Sequence, residues 1–536
     1  MLLSLLPHQI AAQATASWQW ATRAITSTTS SEDYSEGEHI QVDGTGNIFN
    51  SGDFQGRMTV GGTTLVSSKS SDSYLAKYTP VGTLTWIRHF SSTEAETIIK
   101  GMAVDASGNS YVAGYYWPPG VFFIDTTLTL TYKGGGFLVK FDPQGTVLWV
   151  RGVESGIHGL ACSPTGEVLA LGDFEGTLVL GNTTLISPSN EPSSFVVKYD
   201  AQGTALWAQQ FEGRSNDEAV LSLDAAGNAY VASQFQGTAT FGPLTLTGSN
   251  SNNDVFVARY STVGVPQWVV RQPSPDPANE ELVWSMTTDA ASNVYLTSST
   301  GLTYSAPHQW SITQYTPQGT IGWSYLSNAT ENGGIIGLTT DAASNVYLSG
   351  TVAGTLSLGG LTLTSSNTTD LDIALLSFSA QGTPRWAVQA GSITGSEYAF
   401  RVALDLTNNV YVTGALQGNT TLGSLALPQN SSSYEQFVAK ASISTVTATQ
   451  QARRREVLQL YPNPVSGGII QVRWAHVGAA PGQLLVQDAL GRCVLRYPLA
   501  AGQMEAFVPV HSLAPGVYTL RLHSVASTTT GRFIKE

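Results

Sequence analysis

The sequence predicts an all-β protein: a seven-bladed β-propeller closed by an N-terminal strand, followed by a small Ig-like β-sandwich. Three observations support this. Charged residues make up only 12% of the 536 residues, against about 25% in typical domains, while Gly and β-branched residues are abundant. One unit recurs seven times at intervals of 52 to 65 residues, the length of a propeller blade. A strand that belongs to this unit lies alone at the N-terminus.

Each repeat begins with an apolar strand, a tight turn of the form Asp-x-x-Gly-Asn, and a second apolar strand. The turns begin at Asp43, Asp105, Ser163, Asp224, Asp289, Asp341 and Asp405. The Asp accepts backbone N–H groups, and a Gly or Asn adopts the left-handed conformation. Ser292 and Ser344 replace the Gly, so we expect Asn293 and Asn345 to be the left-handed residues there.

The second half of each repeat contains another hairpin and a Trp. Its turn reads Tyr199-Asp-Ala-Gln-Gly203 in the third copy, followed by Trp207. Two hairpins make a four-stranded blade. The seventh copy stops after Phe437-Val-Ala-Lys440 without its Trp strand, and Ser17-Trp-Gln-Trp-Ala-Thr22 supplies one. Residues 17–24 should therefore be the outermost strand of the last blade, which removes the open sheet edges.

The repeat resembles the SBBP β-propeller repeat of bacterial exported proteins. The matching pattern is Asp-x-x-Gly-Asn-x-Tyr-Val-x-Gly followed by Phe-x-Gly-Thr, as in Phe174-Glu-Gly-Thr177 and Phe235-Gln-Gly-Thr238. The resemblance covers residues 17–441 and implies a propeller fold and export. It implies no defined ligand. The fifth copy departs most, since Tyr304, His308 and Trp310 stand in place of Phe-x-Gly-Thr.

A polar stretch, residues 442–455, predicts a linker before a small all-β domain at 456–536. This last segment resembles the type A C-terminal sorting domain of the type IX secretion system. The matching residues are Tyr461, Pro462, Asn463 and Pro464, then Gly491 and Arg492, and finally Gly516 and Tyr518. The resemblance implies a Bacteroidota-like host, recognition by the type IX secretion machinery, and a secreted or outer-surface location after periplasmic export.

The N-terminus and the net charge narrow the class of protein further. Residues 1–16 are apolar and end in small residues, which predicts the remnant of a signal peptide. No other segment is long and apolar enough to span a bilayer as a helix. A net charge of −13 argues against nucleic acid as a partner.

An acidic residue precedes each first turn by about 5 to 10 positions, and these residues should lie near the mouth of the central channel. They are Glu38, Glu96, Glu154, Asp217, Glu281, Glu331 and Glu397. Such a ring could hold Ca²⁺, which prefers oxygen ligands, or a basic partner. Capping of backbone groups, or simple solvation, explains the same residues. No other cofactor is predicted.

Exposed aromatic residues are the second group of candidates. Tyr115, Tyr116 and Trp117 have no counterpart in the other repeats, and Tyr304, His308 and Trp310 are specific to the fifth. They could stack on sugar rings, or they could fill the core. We expect function on the face opposite the tight turns, where the variable stretches and the connections between blades should lie.

The sequence contains no GxSxG, HExxH or P-loop motif. We therefore interpret the chain as a non-catalytic binding or scaffold module for a glycan, matrix component or surface protein. One alternative is a polysaccharide hydrolase or lyase that uses carboxylates of the loop face. The other is a structural surface spacer.

Overall fold

The computed structural model divides the chain into two compact units, Met1–Thr445 and Val446–Glu536. It describes residues 14–26, 33–93, 96–116, 121–126, 128–130, 135–188, 192–211, 219–249, 252–274, 280–300, 309–327, 333–366, 370–392, 395–429, 433–445, 458–473, 482–488, 492–500, 503, 505–523 and 528–536. The described part contains strands and no helix, so it holds no helix of the length and apolarity needed to cross a membrane.

The described part of the first unit forms seven antiparallel sheets with four strands each at their core, here numbered 1 to 7 along the chain. The chain enters through β1 (Ala14–Arg23), which belongs to sheet 7. Sheet 1 is built from β4 to β7, and β2 and β3 also pair with β5. Its strands are β2 (Ile25–Thr26), β3 (Tyr34–Ser35), β4 (His39–Val42), β5 (Ile48–Val60), β6 (Thr63–Tyr78) and β7 (Leu84–Ser92).

Sheets 2 to 4 follow the same order of strands. Sheet 2 comprises β8 (Thr97–Val104), β9 (Ser110–Tyr116), β12 (Gly136–Phe141) and β13 (Val147–Val153); β10 (Phe122–Ile124) and β11 (Leu128–Leu130) join sheet 1, because β10 pairs with β7. Sheet 3 comprises β14 (Ile157–Cys162), β15 (Val168–Phe174), β18 (Ser193–Tyr199) and β19 (Ala205–Phe211), with the hairpin strands β16 (Thr177–Leu180) and β17 (Thr183–Ile186) between β15 and β18 in the chain. Sheet 4 comprises β20 (Val220–Leu223), β21 (Ala229–Phe235), β24 (Asp254–Tyr260) and β25 (Pro266–Arg271), with the hairpin strands β22 (Thr238–Phe241) and β23 (Leu244–Thr247) between β21 and β24 in the chain.

Sheets 5 to 7 complete the first unit. Sheet 5 comprises β26 (Glu281–Thr288), β27 (Val294–Thr300), β28 (Gln309–Tyr315) and β29 (Ile321–Leu326). The next strands are β30 (Ile335–Thr340), β31 (Val346–Val352), β32 (Thr355–Leu358), β33 (Leu361–Thr364), β34 (Asp372–Phe378) and β35 (Pro384–Ala390). The last are β36 (Glu397–Leu404), β37 (Val410–Leu416), β38 (Thr420–Leu422), β39 (Leu425–Leu427) and β40 (Glu435–Thr445).

The sheets stand around a central channel. The first strand of each sheet contacts the first strand of the next, and β36 contacts β4 again. Apolar clusters fill the spaces between neighbouring sheets; one contains Phe49, Leu75 and Val112 of sheets 1 and 2. Most second and third strands are buried on both faces for this reason, as in β15 and β18. The burial explains their long apolar runs.

The variable stretches lie elsewhere than expected. In sheets 3, 4, 6 and 7 they form separate two-stranded hairpins, the first of which pairs β16 with β17. Each hairpin contacts the outermost strand of its own sheet, as β17 contacts β19. The stretches thus lie along the outer edge of the unit. The prediction that they share the functional face with the connections between sheets is wrong, because their apolar side chains pack on the outermost strand.

The first turn of each repeat confirms the role predicted for Asp and corrects the left-handed residue. In sheet 5, the N–H groups of Ala291 and Asn293 donate to Asp289 Oδ1, each at 2.9 Å. The left-handed residue is Ser292 (φ 61°), and Ser344 (φ 60°) is its equivalent in sheet 6. Asn293 is held differently, because its Nδ2 donates to Asp289 Oδ2 at 2.9 Å.

The Trp residues of sheets 1 to 5 and of sheet 7 each connect their sheet to the next. Trp207 Nε1 donates to Thr262 O at 3.0 Å, in the second turn of sheet 4. A Cβ on Gly264 of that turn would lie 2.6 Å from the Trp207 ring. The same indole-to-carbonyl bond joins Trp20 to Pro80, Trp86 to Pro143, Trp149 to Ala201, Trp268 to Pro317 and Trp323 to Ala380. The turn Gly leaves room for the neighbouring indole.

The N-terminal strand pairs as expected. β1 runs antiparallel to β40, with Trp20 opposite Lys440 and Arg23 opposite Phe437. Arg23 Nε lies 2.6 Å from the Glu435 carboxylate, and both side chains are buried. Trp20 reaches the turn of sheet 1, so β1 fastens sheet 7 to sheet 1. The predicted signal peptide, residues 1–16, lies outside the described residues except for 14–16, which are part of β1.

The second unit has a core of its own between two sheets. One sheet has the order β41–β42–β45 and the other β44–β43–β46–β47, and side chains such as Ile470, Val486 and Leu520 are buried within it. The strands are β41 (Gln459–Tyr461), β42 (Ile469–Arg473), β43 (Gly482–Gln487), β44 (Cys493–Leu499), β45 (Glu505–Pro509), β46 (Gly516–His523) and β47 (Thr528–Lys535).

Candidate functional site at the channel mouth

A β-bulge interrupts the first strand of five sheets at an equivalent place. The bulges lie between Ile99 and Gly101, Ile157 and Gly159, Val283 and Ser285, Ile335 and Gly337, and Ala399 and Arg401. In each, one extra residue has no partner on the second strand. A bulge redirects a side chain and occurs often beside functional sites.

The extra residue always lies five positions before the first residue of the tight turn. In sheet 1 this position is Glu38, which donates its N–H to Ser51 O while His39 also lies opposite Ser51. In sheet 4 it is Ala219. We call the seven residues at this position the bulge ring; they are Glu38, Lys100, His158, Ala219, Trp284, Ile336 and Phe400.

All seven residues of the bulge ring line one cavity of about 680 Å³ in the central channel. The cavity extends from the mouth, at Glu36 and Glu38, toward the tight turns, where Val42 and Leu404 line it. Its size falls within the range of small-molecule sites, about 300 to 1,000 Å³.

One side of the mouth is polar and charged. Glu38, Lys100 and His158 come from the adjacent sheets 1, 2 and 3, and all three are half-buried. Burial raises the pKa of Glu38, and the neighbouring charges of Lys100 and Arg401 act in the opposite direction. Burial also lowers the pKa of His39 to about 3, assisted by Arg401, so His39 is neutral at neutral pH.

Arg401 follows the bulge of sheet 7 and lies beside the apolar side of the mouth. Its Nη1 donates to Phe400 O at 3.0 Å and to Ile336 O at 3.4 Å, and its Nη2 donates to Trp284 O at 3.5 Å. These bonds hold the guanidinium at the border of sheets 5, 6 and 7. The charge therefore lies in the channel, within electrostatic range of Glu38.

The opposite side of the mouth is apolar and aromatic. Trp284 is half-buried, and its Nε1 donates to Ser299 Oγ at 2.8 Å. Phe400 is half-buried, and its ring centroid lies 5.8 Å from that of Tyr398, which in turn lies 5.6 Å from Tyr434. Ala219 of sheet 4 lies between the charged side and the aromatic side, and Ile336 of sheet 6 lies between Trp284 and Phe400. A ligand with an apolar face and polar edges matches this division of the mouth.

The predicted ring of carboxylates does not come together. Glu397 is fully buried and accepts hydrogen bonds from Ser392 Oγ (2.7 Å) and Thr420 Oγ1 (2.9 Å). Burial raises its pKa to about 7 despite these bonds. Glu281 is also buried and accepts the N–H of Val255 at 3.1 Å.

The other predicted carboxylates give no shared site either. Glu154 is exposed, Glu96 is half-buried, and neither of them lines the cavity, whereas Glu38 does. Asp217 and Glu331 lie outside the described residues. Among the residues that the structure describes, no three His, Cys, Asp or Glu side chains are grouped closely enough to bind one metal ion. Of the predicted carboxylates that the structure describes, Glu38 is the one that lines the cavity.

Two of the aromatic candidates are core residues, which is one of the two alternatives that the sequence left open. Trp310 and Tyr116 are each 1% exposed. Trp310 packs 5.6 Å from Tyr325, and Tyr116 stacks on Phe122 at 5.4 Å. Neither ring can contact a ligand, because neighbouring sheets cover both faces of these strands. Tyr115 is half-buried, 5.9 Å from the ring of His158; Trp117, Tyr304 and His308 lie outside the described residues.

Sequence reasoning missed Lys100, His158, Trp284, Phe400 and Arg401. A signal was present: the offset of five residues before each tight turn is constant across all seven repeats. Acidic residues at variable offsets from the turn combine the bulge position with residues at the ends of strands. A position that has a constant offset and different chemistry in each copy marks a ring of candidate site residues.

The motif residues of the second unit have defined contacts. Asn463 Nδ2 donates to Arg532 O (3.0 Å), and the Ile534 N–H donates to Asn463 Oδ1 (2.9 Å), so the Tyr461–Pro464 motif is tied to the last strand. Arg492 Nε donates to Asp488 Oδ2 at 2.8 Å. Tyr518 OH donates to Ala514 O at 2.8 Å, beside Gly516. Pro462 lies within the motif, and Gly491 is outside the described residues.

Comparison with known proteins gives two family matches and several distant relatives. An uncharacterized WD repeat-containing protein of Acanthamoeba polyphaga mimivirus is 23% identical over 427 residues. The match covers 70% of this chain and 28% of that protein. The chain thus spans less than a third of that relative.

Solved structures with low sequence identity are also similar. A protein of unknown function from Bacteroides caccae is 11% identical, with a TM-score of 0.32, and the match covers 62% of this chain and 94% of that one. A polysaccharide lyase of family PL25, an ulvan lyase, is 10% identical, with a TM-score of 0.38 and coverage of 75% and 93%.

The family matches agree with the fold. Residues 85–115, which run from the outermost strand of sheet 1 into the second strand of sheet 2, match the β-propeller repeat SBBP. Residues 459–536 match the secretion system C-terminal sorting domain. This range contains the described strands of the second unit. The chain therefore contains a stretch that matches an SBBP β-propeller repeat and a C-terminal segment that matches the type IX secretion sorting domain, and this sorting domain indicates a protein secreted to the cell surface or the extracellular space.

Proposed function

We propose that this protein is a non-catalytic binding module at the cell surface or in the medium, and that it binds a glycan or matrix component at the mouth of its central channel. The sorting domain delivers it, and the first unit binds. We also propose that the seven sheets are the blades of one complete propeller closed by β1, and that the sorting domain is an Ig-like sandwich.

One observation carries the proposal: the bulge ring divides the mouth into a charged side and an aromatic side around one cavity. Sugars present hydroxyl edges and apolar C–H faces, and proteins bind them through hydrogen bonds and aromatic stacking. Glu38 and Lys100 offer an acceptor and a donor, and Trp284 and Phe400 offer half-buried rings.

Screening of the purified full-length protein on an array of plant, algal and host glycans tests the proposal. We expect binding to a restricted set of glycans, with no release of reducing ends or of unsaturated sugars during prolonged incubation. Trp284→Ala should abolish the binding, while Phe507→Ala, which removes a 55% exposed ring from the sorting domain, should preserve it. A protein that neither binds nor cleaves any glycan would instead be a surface spacer.

A polysaccharide-active enzyme is the second candidate, and Glu36 favours it. This carboxyl lines the cavity, and burial together with the charge of Glu38 raises its pKa to about 7. A carboxyl that titrates near neutral pH suits general acid–base catalysis. Turnover of any array glycan that Glu36→Gln eliminates, with binding retained, would replace the binding module by this enzyme.

A further inference from the structure

We infer that the channel mouth binds the terminal units of a glycan chain end-on, and does not bind a stretch within the chain. The inference rests on the proposed function and specifies how the ligand enters. Three features support it: the closed wall of the cavity, the chemistry along its depth, and two half-buried charged groups that have no hydrogen bond or short ion pair among the described residues.

The wall of the cavity is continuous. The seven residues of the bulge ring come from the first strands of all seven sheets, and each first strand contacts the next around the channel. A site for the interior of a polymer needs a groove that is open at two ends, so that the chain can enter and leave. A ring of strands is closed laterally and opens only along its axis, so a sugar chain can enter the cavity only by an end, by a branch or as a free oligosaccharide.

The depth of the channel does not suit a polymer that passes through it. From the second residue after the bulge ring toward the tight turns, the described lining has no charged or aromatic side chain and combines polar residues, among them Gln41, Ser222, Thr287 and Thr339, with apolar ones, among them Val42, Val104, Leu223 and Leu404. Sugar hydroxyls that lose water beside the apolar residues would remain without hydrogen-bond partners, at a cost of about 1 to 3 kcal/mol for each group. Recognition therefore ends near the bulge ring, and the terminal one to three sugar units make the contacts.

Glu38 and Lys100 form the polar part of this end-on site. Within the described part of the chain, neither the Glu38 carboxylate nor the Lys100 ammonium has a hydrogen bond or an ion pair shorter than 4 Å, although both are half-buried and within electrostatic range of each other. The two groups are thus available to a ligand between them. Adjacent sugar hydroxyls both donate and accept, so one pair of them can bind the carboxylate and the ammonium together.

The aromatic part of the site orients the terminal unit. Trp284 of sheet 5 and Phe400 of sheet 7 lie across the channel from Lys100 and His158 of sheets 2 and 3. A sugar ring that stacks its apolar face on Trp284 turns its hydroxyl edge toward Glu38 and Lys100. A terminal unit exposes the full set of hydroxyls along that edge, whereas an internal unit has glycosidic bonds on both sides.

Size-defined oligosaccharides provide the test. The probes are ladders of one to ten units from cellulose, xylan, laminarin, chitin and alginate, labelled at the reducing end, together with the parent polymers. Titrations of the full-length protein should give a dissociation constant that changes less than about threefold beyond three units. Partial endo-cleavage of the bound polymer should increase the molar amount of protein bound in proportion to the number of chain ends.

Variants locate the binding within the mouth. Glu38→Gln and Lys100→Ala should each weaken binding of the short oligosaccharides by at least about tenfold. The control Glu154→Gln, at an exposed carboxylate outside the cavity, should leave the affinity unchanged. Circular dichroism and the melting temperature verify that each variant is folded. Unchanged binding in both Glu38→Gln and Lys100→Ala would overturn the inference.

Different binding results would overturn this inference and the proposed function. Affinity that rises steadily with chain length, with a bound amount that stays constant after endo-cleavage, would show binding to chain interiors; the end-on inference would fall and the binding module would remain. Absence of binding to every ladder, every polymer and the array would overturn both.

Discussion

Single side chains organise the tight turns that give the first unit its regularity. Asp405 Oδ1 accepts the N–H groups of Thr407 (2.9 Å) and Asn409 (3.0 Å), and its Oδ2 accepts Asn409 Nδ2 (2.8 Å) and Tyr411 OH (3.1 Å). Burial alone would raise the pKa of Asp405, but the hydrogen bonds from Asn409 and Thr407 outweigh it and hold the pKa below its usual value. The ionised carboxylate is thus a structural group.

Replacement of this carboxylate should destabilise the first unit in a pH-dependent way. We expect Asp405→Ala to lower the free energy of unfolding at pH 7 by about 1 to 3 kcal/mol, because several donors lose their acceptor. The folded-state pKa is depressed, so this stabilisation is present above the ordinary pKa of about 3.8 and is lost as the pH falls through the folded value. Urea unfolding at pH 7 and pH 3 should show a smaller effect at pH 3.

A substitution in the same turn serves as the control. Leu406 is 87% exposed, and Leu406→Ala should change stability by less than about 0.5 kcal/mol at either pH. An equal loss for Asp405→Ala at both pH values would contradict a role for the ionised form.

The second turn depends on a glycine for two separate reasons, and two variants can separate them. Gly264 has φ 81° and lies against the Trp207 ring; Gly62 has φ 86°, and an added Cβ there would meet no atom within 4 Å. Both Ala variants incur the left-handed cost of about 1 to 2 kcal/mol. Gly264→Ala must also displace the indole, so its loss should be larger by about 1 to 3 kcal/mol. Urea unfolding followed by Trp fluorescence measures both, and equal losses would refute the indole contact.

At the scale of the element, β1 provides the fourth strand of sheet 7. Its contacts join the two ends of the first unit: pairing with β40, the Arg23–Glu435 ion pair (2.6 Å) and the Trp20 bond to the turn of sheet 1 (3.1 Å). Glu435 Oε1 also accepts hydrogen bonds from the N–H (3.2 Å) and from the Oγ1 hydroxyl (3.0 Å) of Thr26. Loss of β1 would expose the edge of β40 and leave a buried carboxylate without its cation.

Removal of residues 1–24 should therefore unfold or aggregate the first unit. We expect a variant that begins at residue 25 to lose the cooperative thermal transition and to elute as large species in size-exclusion chromatography. A variant that lacks only residues 1–13 retains all of β1 and should melt like the full chain. Addition of a peptide of residues 14–26 should restore the transition of the shorter variant. A monomeric, cooperatively folded protein without β1 would contradict ring closure by this strand.

At the scale of the whole molecule, the two units have separate cores. The core of the second unit lies wholly within residues 458–533, and the clusters of the first unit end at Ile443. A chain without the sorting domain should therefore keep the cavity of the first unit intact.

Deletion of residues 446–536 tests this independence. The melting temperature of the first unit should shift by less than about 3 °C, since no part of its core is removed. Differential scanning calorimetry of the full chain and of the shortened chain measures the shift, and glycan affinity provides a second readout. A loss of the main transition in the shortened chain would show that the first unit depends on the second.

Local chemistry was sufficient to determine much of the architecture. The Asp turns, the Gly of the second turn, the orphan strand with Trp20 and the sorting motif around Asn463 are each encoded within a few consecutive residues, and turn geometry acts over that same range. The pairing of β1 with β40 also followed from the sequence, because the seventh repeat lacked the strand that the N-terminus supplies.

Tertiary structure was needed to identify the side chains of the candidate site. Sheets cover the second and third strands on both faces, so apolar alternation could not distinguish the buried Trp310 and Tyr116 from rings that a ligand can reach. The bulges that point Lys100, Trp284 and Phe400 into the channel arise from pairing between first and second strands. Only closure of seven such strands around one axis places a carboxylate of sheet 1 opposite an indole of sheet 5, about 250 residues away in sequence.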